Sequence, residues 1–258
     1  MPAGGITMVL DKGLGIRELE DLLEVAGNYF HFLKLGFGTA GLYREEVLRR
    51  KTSLARSFGV EVYPGGTFLE IALAQGEKIE HLLERFLDLG FSAVEISEGT
   101  VSWERRMRER LIKLARQEGF TVLTEVGKKN PLYPFDPAEI ARQIAADLEA
   151  GAHWVIIEGR EQGRRAGIYD AQGRIKEGIF RSLLEKLEDP SRLIWEAPLP
   201  SQQLALIRHL GPEVNLGNVP PGEVLSLAAL RRGLRSDTFF LLERLGARPI
   251  RLVRAKLG

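Results

Sequence analysis

"FTVLTEVGKK", residues 120–129, sets β-branched and apolar side chains directly before a glutamate, a glycine and two lysines. The run is too short for a helix and rich in strand formers, so it reads as a strand buried on both faces, the kind that helices cover in parallel sheets. Glu125, Lys128 and Lys129 then stand where that strand leaves the core. Charge in such a place is costly unless it is paired or binds a metal.

Outward from this stretch the same rhythm recurs. "ITMVLDKG", "HFLKLGFG", "VEVYPGG", "SAVEISEG", "HWVIIEGRE", "LIWEAP" and "VNLGNVPP" are further short apolar runs that end in glycine, proline or charge. Between them, residues 16–26, 45–57, 68–89, 103–117, 137–150, 178–187, 201–210 and 223–230 carry helical periodicity. Gly59, Gly90, Gly119, Gly151 and Gly211 fall where a left-handed residue ends a helix. Eight strand–helix units in 258 residues predict a (β/α)8 TIM barrel, with its active site at the C-terminal strand ends. A doubly wound open sheet is the alternative. No linker or composition shift divides the chain, so residues 1–258 read as one domain with a short C-terminal tail from about residue 240 that packs on a neighbour. The glycine- and charge-rich stretch 159–178 is the one long excursion after a strand, an ordered or closing loop.

Composition excludes several classes. Lys plus Arg (36) nearly cancels Asp plus Glu (35), which leaves no global field for nucleic acid or an acidic membrane. The absence of cysteine excludes disulfides, thiolate nucleophiles and Cys-based metal sites. Without a signal peptide or a long apolar run, a soluble cytoplasmic protein is expected. Association of barrels through an amphipathic tail makes a homo-oligomer the expected assembly.

A closed barrel would gather the strand-end residues into one place. Glu125, Glu158 and Glu196 occupy equivalent positions before "VG", "GR" and "AP" and suit a hard divalent cation such as Mg²⁺. The competing reading is a metal-free network in which Lys12, Lys34 and Lys128 neutralise them. His31, His81, His153 and His209 show no metal-ligand spacing and read as structural. "YPGGT" places Gly65 and Gly66 in a strand-to-helix turn whose amides suit an oxyanion, or simply make the turn. Asn218 stands at the eighth strand end, where barrels often bind phosphate. Arg231, Arg232 and Arg235 beyond it offer forked donors for an oxyanion, or else an interface or solvated helix end.

Ten motifs in order from about Val9 to Phe239 resemble the phosphosulfolactate synthase family: "VLDKGL", "KLGFGT", "VYPGGT", "AVEISEGT", "LTEVGKK", "VIIEGRE", "EAP", "SQQ", "VNLGNV" and "LRRGLRSDTF". The resemblance implies a barrel enzyme that adds sulfite to phosphoenolpyruvate with Mg²⁺, giving (2R)-phospho-3-sulfolactate for coenzyme M synthesis. It implies a metal-stabilised aci-carboxylate protonated at C2 by a lysine. Lys129 is the favoured donor with Lys128 as its electrostatic partner, or the reverse. Lys12 and Lys34 would bind the substrate's carboxylate or phosphate, and Arg160 with Arg232 or Arg235 its phosphate or the sulfite. Glu98 in "SEGT" departs from the shorter aspartate that the family pattern leads one to expect. Alternatives are a non-catalytic or stress-associated barrel of the same family and a relative acting on a different enolphosphate.

Overall fold

The computed structural model describes residues 5–128, 134–239 and 241. Its strands are β1 (Thr7–Asp11), β2 (Phe32–Leu35), β3 (Glu61–Pro64), β4 (Ala93–Ile96), β5 (Thr121–Val126), β6 (Trp154–Ile157), β7 (Leu193–Glu196) and β8 (Leu216–Val219). The helices that alternate with them are α1 (Ile16–Ala26), α2 (Glu45–Ser57), α3 (Gly66–Ala74), α4 (Ile79–Asp88), α5 (Arg105–Gln117), α6 (Pro137–Ala150), α7 (Glu177–Leu184), α8 (Pro200–Leu210) and α9 (Val224–Arg231). The strands form one sheet in the order β3-β2-β1-β8-β7-β6-β5-β4, and every described pair is parallel.

Pairing of β1 with both β2 and β8 closes the chain's two ends on each other, which an open doubly wound sheet does not do. The remaining seam, between β3 and β4, is bridged by Ser92: its N–H donates to the Val62 carbonyl at 3.1 Å, and its hydroxyl accepts from Val62 N–H at 3.2 Å. The fold is a (β/α)8 barrel.

Strand alternation sorts the side chains into two cores. Met8, Phe32, Tyr63, Ala93, Leu123, Ile156 and Ile194 fill the barrel interior, while Val9, Leu33, Val62, Val94, Val122, Val155 and Trp195 face the helices. Two residues beyond the interior apolar position, five strands carry charge instead: Lys34, Glu95, Glu125, Glu158 and Glu196. All five are buried.

At the opposite, N-terminal end, histidines cap strand edges. His31 Nδ1 accepts from Thr7 N–H at 3.2 Å and His153 Nδ1 from Val122 N–H at 2.8 Å. Burial and nearby arginines depress the pKa of both rings, so they stay neutral acceptors.

Two boundaries differ from the sequence reading. The single helix expected over 68–89 is two, α3 and α4, because Gly76 takes φ +92° and turns the chain between them. The helix expected from residue 103 starts at Arg105, and the Trp103 indole N–H instead donates to the Ser97 carbonyl at 3.0 Å. The loop over 159–176 is an ordered one: Gln202 of α8 donates to the carbonyls of Gly163 (2.6 Å) and Gly173 (3.1 Å), and the Tyr169 hydroxyl to that of Glu196 (2.8 Å). The tail expected over about 240–258 lies outside the described residues apart from Leu241.

Behind β1, Asp11 faces the helices. One oxygen accepts from Gly13 and Leu14 N–H, both at 2.7 Å, and the other lies 2.6 Å from Lys51 Nζ on α2. Both side chains are fully buried. Lys51→Met leaves that carboxylate buried without its cation and is expected to lower unfolding stability by about 3–5 kcal/mol in denaturant titration. Adding Asp11→Asn should restore part of the loss.

Candidate active site

The charged ring sits where the barrel opens. Lys34 Nζ lies 2.9 Å from Glu95 Oε2, 3.3 Å from Glu125 Oε2 and 3.4 Å from Glu196 Oε1. Burial opposes the ammonium, but Glu95, Glu125 and Glu196 outweigh it and hold the Lys34 pKa well above the ordinary lysine value. Glu125, Glu158 and Glu196 each bring a carboxylate oxygen within 4.8 Å of the other two. Backbone amides fix the glutamates from behind: Gly159 N–H donates to Glu196 Oε2 at 2.9 Å, Arg160 N–H to Glu158 Oε1 at 2.6 Å and Gly66 N–H to Glu95 Oε1 at 2.8 Å.

These residues line a cavity of about 370 Å³ that also receives Gly65, Gly66, Arg160 and Asn218. Arg160 and Asn218 both hold left-handed backbone, φ +60° and +52°, a cost tolerated where surrounding structure imposes it. Asn218 is buried, and its Oδ1 has no hydrogen-bond partner among the described residues. A side chain on Gly66 would place its Cβ 2.2 Å from Ser97 Oγ and 2.7 Å from Glu95 Oε1, so only glycine fits there. One amide of the "YPGGT" turn is therefore engaged by an internal carboxylate.

The other sequence-predicted residues lie further out. Lys12 is exposed, its ammonium 5.6 Å above the Phe37 ring on the cavity rim. Lys128 turns to the β4–α5 loop, donating to the Glu98 carbonyl and Ser102 Oγ, both at 3.1 Å, with the Glu98 carboxylate 3.5 Å away. It lines a neighbouring cavity of about 320 Å³ that shares Glu125 with the first. Lys129 lies outside the described residues.

Arg232 is not brought to the mouth: it stacks 4.8 Å over Tyr29, just before β2, at the N-terminal end of the barrel. Arg235 pairs with Asp237 at 3.0 Å and donates to Ser226 Oγ at 3.0 Å. Both follow the C-terminal end of α9, and a crossover helix runs back away from the strand ends.

Sequence reasoning missed several buried charges on helices, Lys51 and Asp147 among them, and two that stand beside the mouth. Arg108 of α5 forks onto Asp147 of α6 at 2.8 and 2.6 Å and donates to the Glu125 carbonyl at 3.1 Å. Glu70 of α3 is fully buried against the β4–α5 loop. Neither residue type stands out in a helical segment; the one available signal is its position on the apolar face.

The family model described as (2R)-phospho-3-sulfolactate synthase (ComA) matches residues 3–237. This chain belongs to the phosphosulfolactate synthase family. It is 48% identical over 236 residues to the phosphosulfolactate synthase of Methanothermobacter thermautotrophicus, covering 91% of each chain. Identity to the Methanocaldococcus jannaschii phosphosulfolactate synthase is 45% over 240 residues, 91% of this chain and 94% of that one. The Bacillus subtilis phosphosulfolactate synthase is 34% identical over 246 residues, 92% and 93% of the two chains. Among solved structures, the 3-hexulose-6-phosphate synthase of Salmonella typhimurium shares the fold at TM-score 0.59 and 15% identity, covering 89% of this chain and 100% of that one. Phosphosulfolactate synthase family membership makes the chain an enzyme, and the mouth of the barrel is where its buried ionisable groups converge.

Lys34→Met is expected to lower stability by about 3–5 kcal/mol, because three buried carboxylates lose their shared cation. A raised lysine pKa contributes stability that is complete below the unfolded value and is lost only as pH rises through the elevated folded value. The deficit relative to the wild type should therefore stay constant between about pH 7 and 9 in urea titrations, and a variant as stable as the wild type would refute the assignment.

Proposed function

We propose that the enzyme catalyses Mg²⁺-dependent addition of sulfite to phosphoenolpyruvate, giving (2R)-phospho-3-sulfolactate. The observation that carries this reading is the charge of the cavity. Five glutamates line it, Glu95, Glu125, Glu158, Glu161 and Glu196, against the cations of Lys34 and Arg160 among the described residues. Among the described side chains negative charge outnumbers positive, a balance that an added cation would shift in favour of anionic substrates.

A divalent cation would offset most of that excess, and the donor set fits one. Glu125, Glu158 and Glu196 present hard oxygen donors within 4.8 Å of one another, the ligand type that Mg²⁺ takes together with water and substrate oxygens. When bound there, Mg²⁺ supplies Lewis-acid stabilisation of negative charge developing on the substrate.

The chain's own residues do the rest. Lys34, held charged by its neighbours, keeps the glutamates in place and offers positive potential to the substrate's carboxylate. Arg160 on the cavity wall is assigned to phosphate or sulfite. The sulfite sulfur lone pair forms the bond to the methylene carbon, and the enol π pair moves onto the carboxylate as an aci-carboxylate. Protonation at C2 completes the addition. Lys129 is the proposed donor, with Lys128 as the neighbouring charge that favours proton release. Arg232 and Arg235, engaged at the other end of the barrel, have no part in this reading.

Purified protein with phosphoenolpyruvate, sulfite and Mg²⁺ should show sulfite-dependent loss of the enol absorbance. None at high enzyme concentration would sink the assignment. Independently of turnover, saturating Mg²⁺ should raise the melting temperature, by the equivalent of about 2.7 kcal/mol at a hundredfold excess over Kd. Glu158→Gln should abolish that shift. Lys129→Ala should lower kcat by roughly 10²–10⁴ without changing the melting temperature; retained turnover would move the donor role to Lys128.

A further inference from the structure

Glu70 is the one helix-borne carboxylate of α3 and is fully buried. Its Oε1 accepts from the Ser97 hydroxyl and from Gly99 N–H at 3.1 Å, and its Oε2 from Thr100 and Val101 N–H, both at 2.7 Å. An ionised carboxylate accepts about four hydrogen bonds and donates none, so the β4–α5 loop saturates it. Three of the four donors are main-chain amides within residues 99–101, which fixes the path of the loop rather than one side chain.

That path decides where Lys128 goes. Its ammonium has three protons. The loop presents three acceptors to it: the Glu98 carbonyl at 3.1 Å, Ser102 Oγ at 3.1 Å and the Glu98 carboxylate at 3.5 Å. The same carboxylate lies 3.5 Å from Arg108, itself locked by Asp147, so Glu98 is held from two sides. Thr100, in the middle of the anchored stretch, also lines the central cavity.

We propose that Glu70 is a positioning residue: by binding Ser97, Gly99, Thr100 and Val101 it shapes the β4–α5 loop so that Glu98 and Ser102 hold the Lys128 ammonium at the mouth of the barrel. Its value to turnover rests on the sulfite-addition reading, but the positioning itself does not. The Glu70 carboxylate bonds Ser97 and the amides of residues 99–101, and its effect on Lys128 travels through that loop. The length of Glu98 has a role in the same device, since its carboxylate spans the gap between Arg108 and Lys128.

The test reads lysine chemistry without substrate. Full-length protein is treated briefly with acetic anhydride, and tandem mass spectrometry follows acetylation of Lys128 against the exposed Lys113 and Lys186. In Glu70→Gln, whose amide donates towards the loop's own donors, Lys128 should be modified about fivefold faster or more, the factor set by the net worth of one hydrogen bond. Glu98→Gln should raise it similarly, and the double variant should not exceed the larger single effect, because both act on one contact. Glu70→Asp, which keeps the charge one methylene short, should give an intermediate rate and serves as the second variant if Glu70→Gln does not fold. Unchanged Lys128 reactivity in a folded Glu70 variant, or additive effects in the double variant, would overturn the proposal. Because no turnover is measured, a negative sulfite assay leaves this result standing, and a negative labelling result leaves the sulfite assay standing.

Discussion

A lysine ammonium buried among three carboxylates is the constraint on which the mouth of this barrel depends. Lys34, Glu95, Glu125 and Glu196 come from β2, β4, β5 and β7 and lie up to 162 positions apart in the chain. Each contact is worth roughly 5–6 kcal/mol at an effective dielectric of about 20, before desolvation and the repulsion among the glutamates are subtracted. The arrangement is stable only as a set. Closure of β1 onto β8 brings its members to one point, and their mutual compensation in turn makes an ionic layer tolerable directly above the apolar one of Phe32, Ala93, Leu123, Ile156 and Ile194.

The strand ends carry a second ionic system on their outer side, and the two do different work. Asp11 with Lys51 and Arg108 with Asp147 are compensated close to one for one, by forked or amide-supported contacts among helices. Such pairs fix how the helices seat on the barrel. Among the described residues the inner system lines its cavity with more carboxylates than cations. Imbalance of this kind is what distinguishes a site that takes up a charged partner from one that only holds a fold.

The sequence displayed the barrel clearly because its two signals agree. Strands read as short apolar runs, and the glycines expected to end helices at 59, 90, 119, 151 and 211 all take positive φ. The inner charges were equally visible: an apolar residue followed two positions later by Lys or Glu is a strand whose interior face turns from core to site, as in Phe32–Lys34 and Leu123–Glu125. The arginines after α9 show the limit of that method. Arg232 and Arg235 have the right chemistry for an oxyanion, but a helix that follows a strand carries its last residues to the far end of the barrel. Glu70 and Arg108 were hidden for the complementary reason, since a charge within a helical segment looks solvated until packing shows which face it occupies.

The division between Lys34 and Lys128 follows from this geometry. A general acid must give up its proton in the working pH range, and a lysine does so only where burial or neighbouring cations favour the neutral form. Lys34 has the opposite surroundings: the carboxylates that hold it in place also hold its proton. It is suited to binding and unsuited to proton transfer for as long as those contacts persist. Lys128 is less deeply buried, and the Glu98 carboxylate beside it is shared with Arg108. Lys128 of "LTEVGKK" is instead held by the β4–α5 loop beside the glutamate cluster, while Lys34 stands at the cluster's centre.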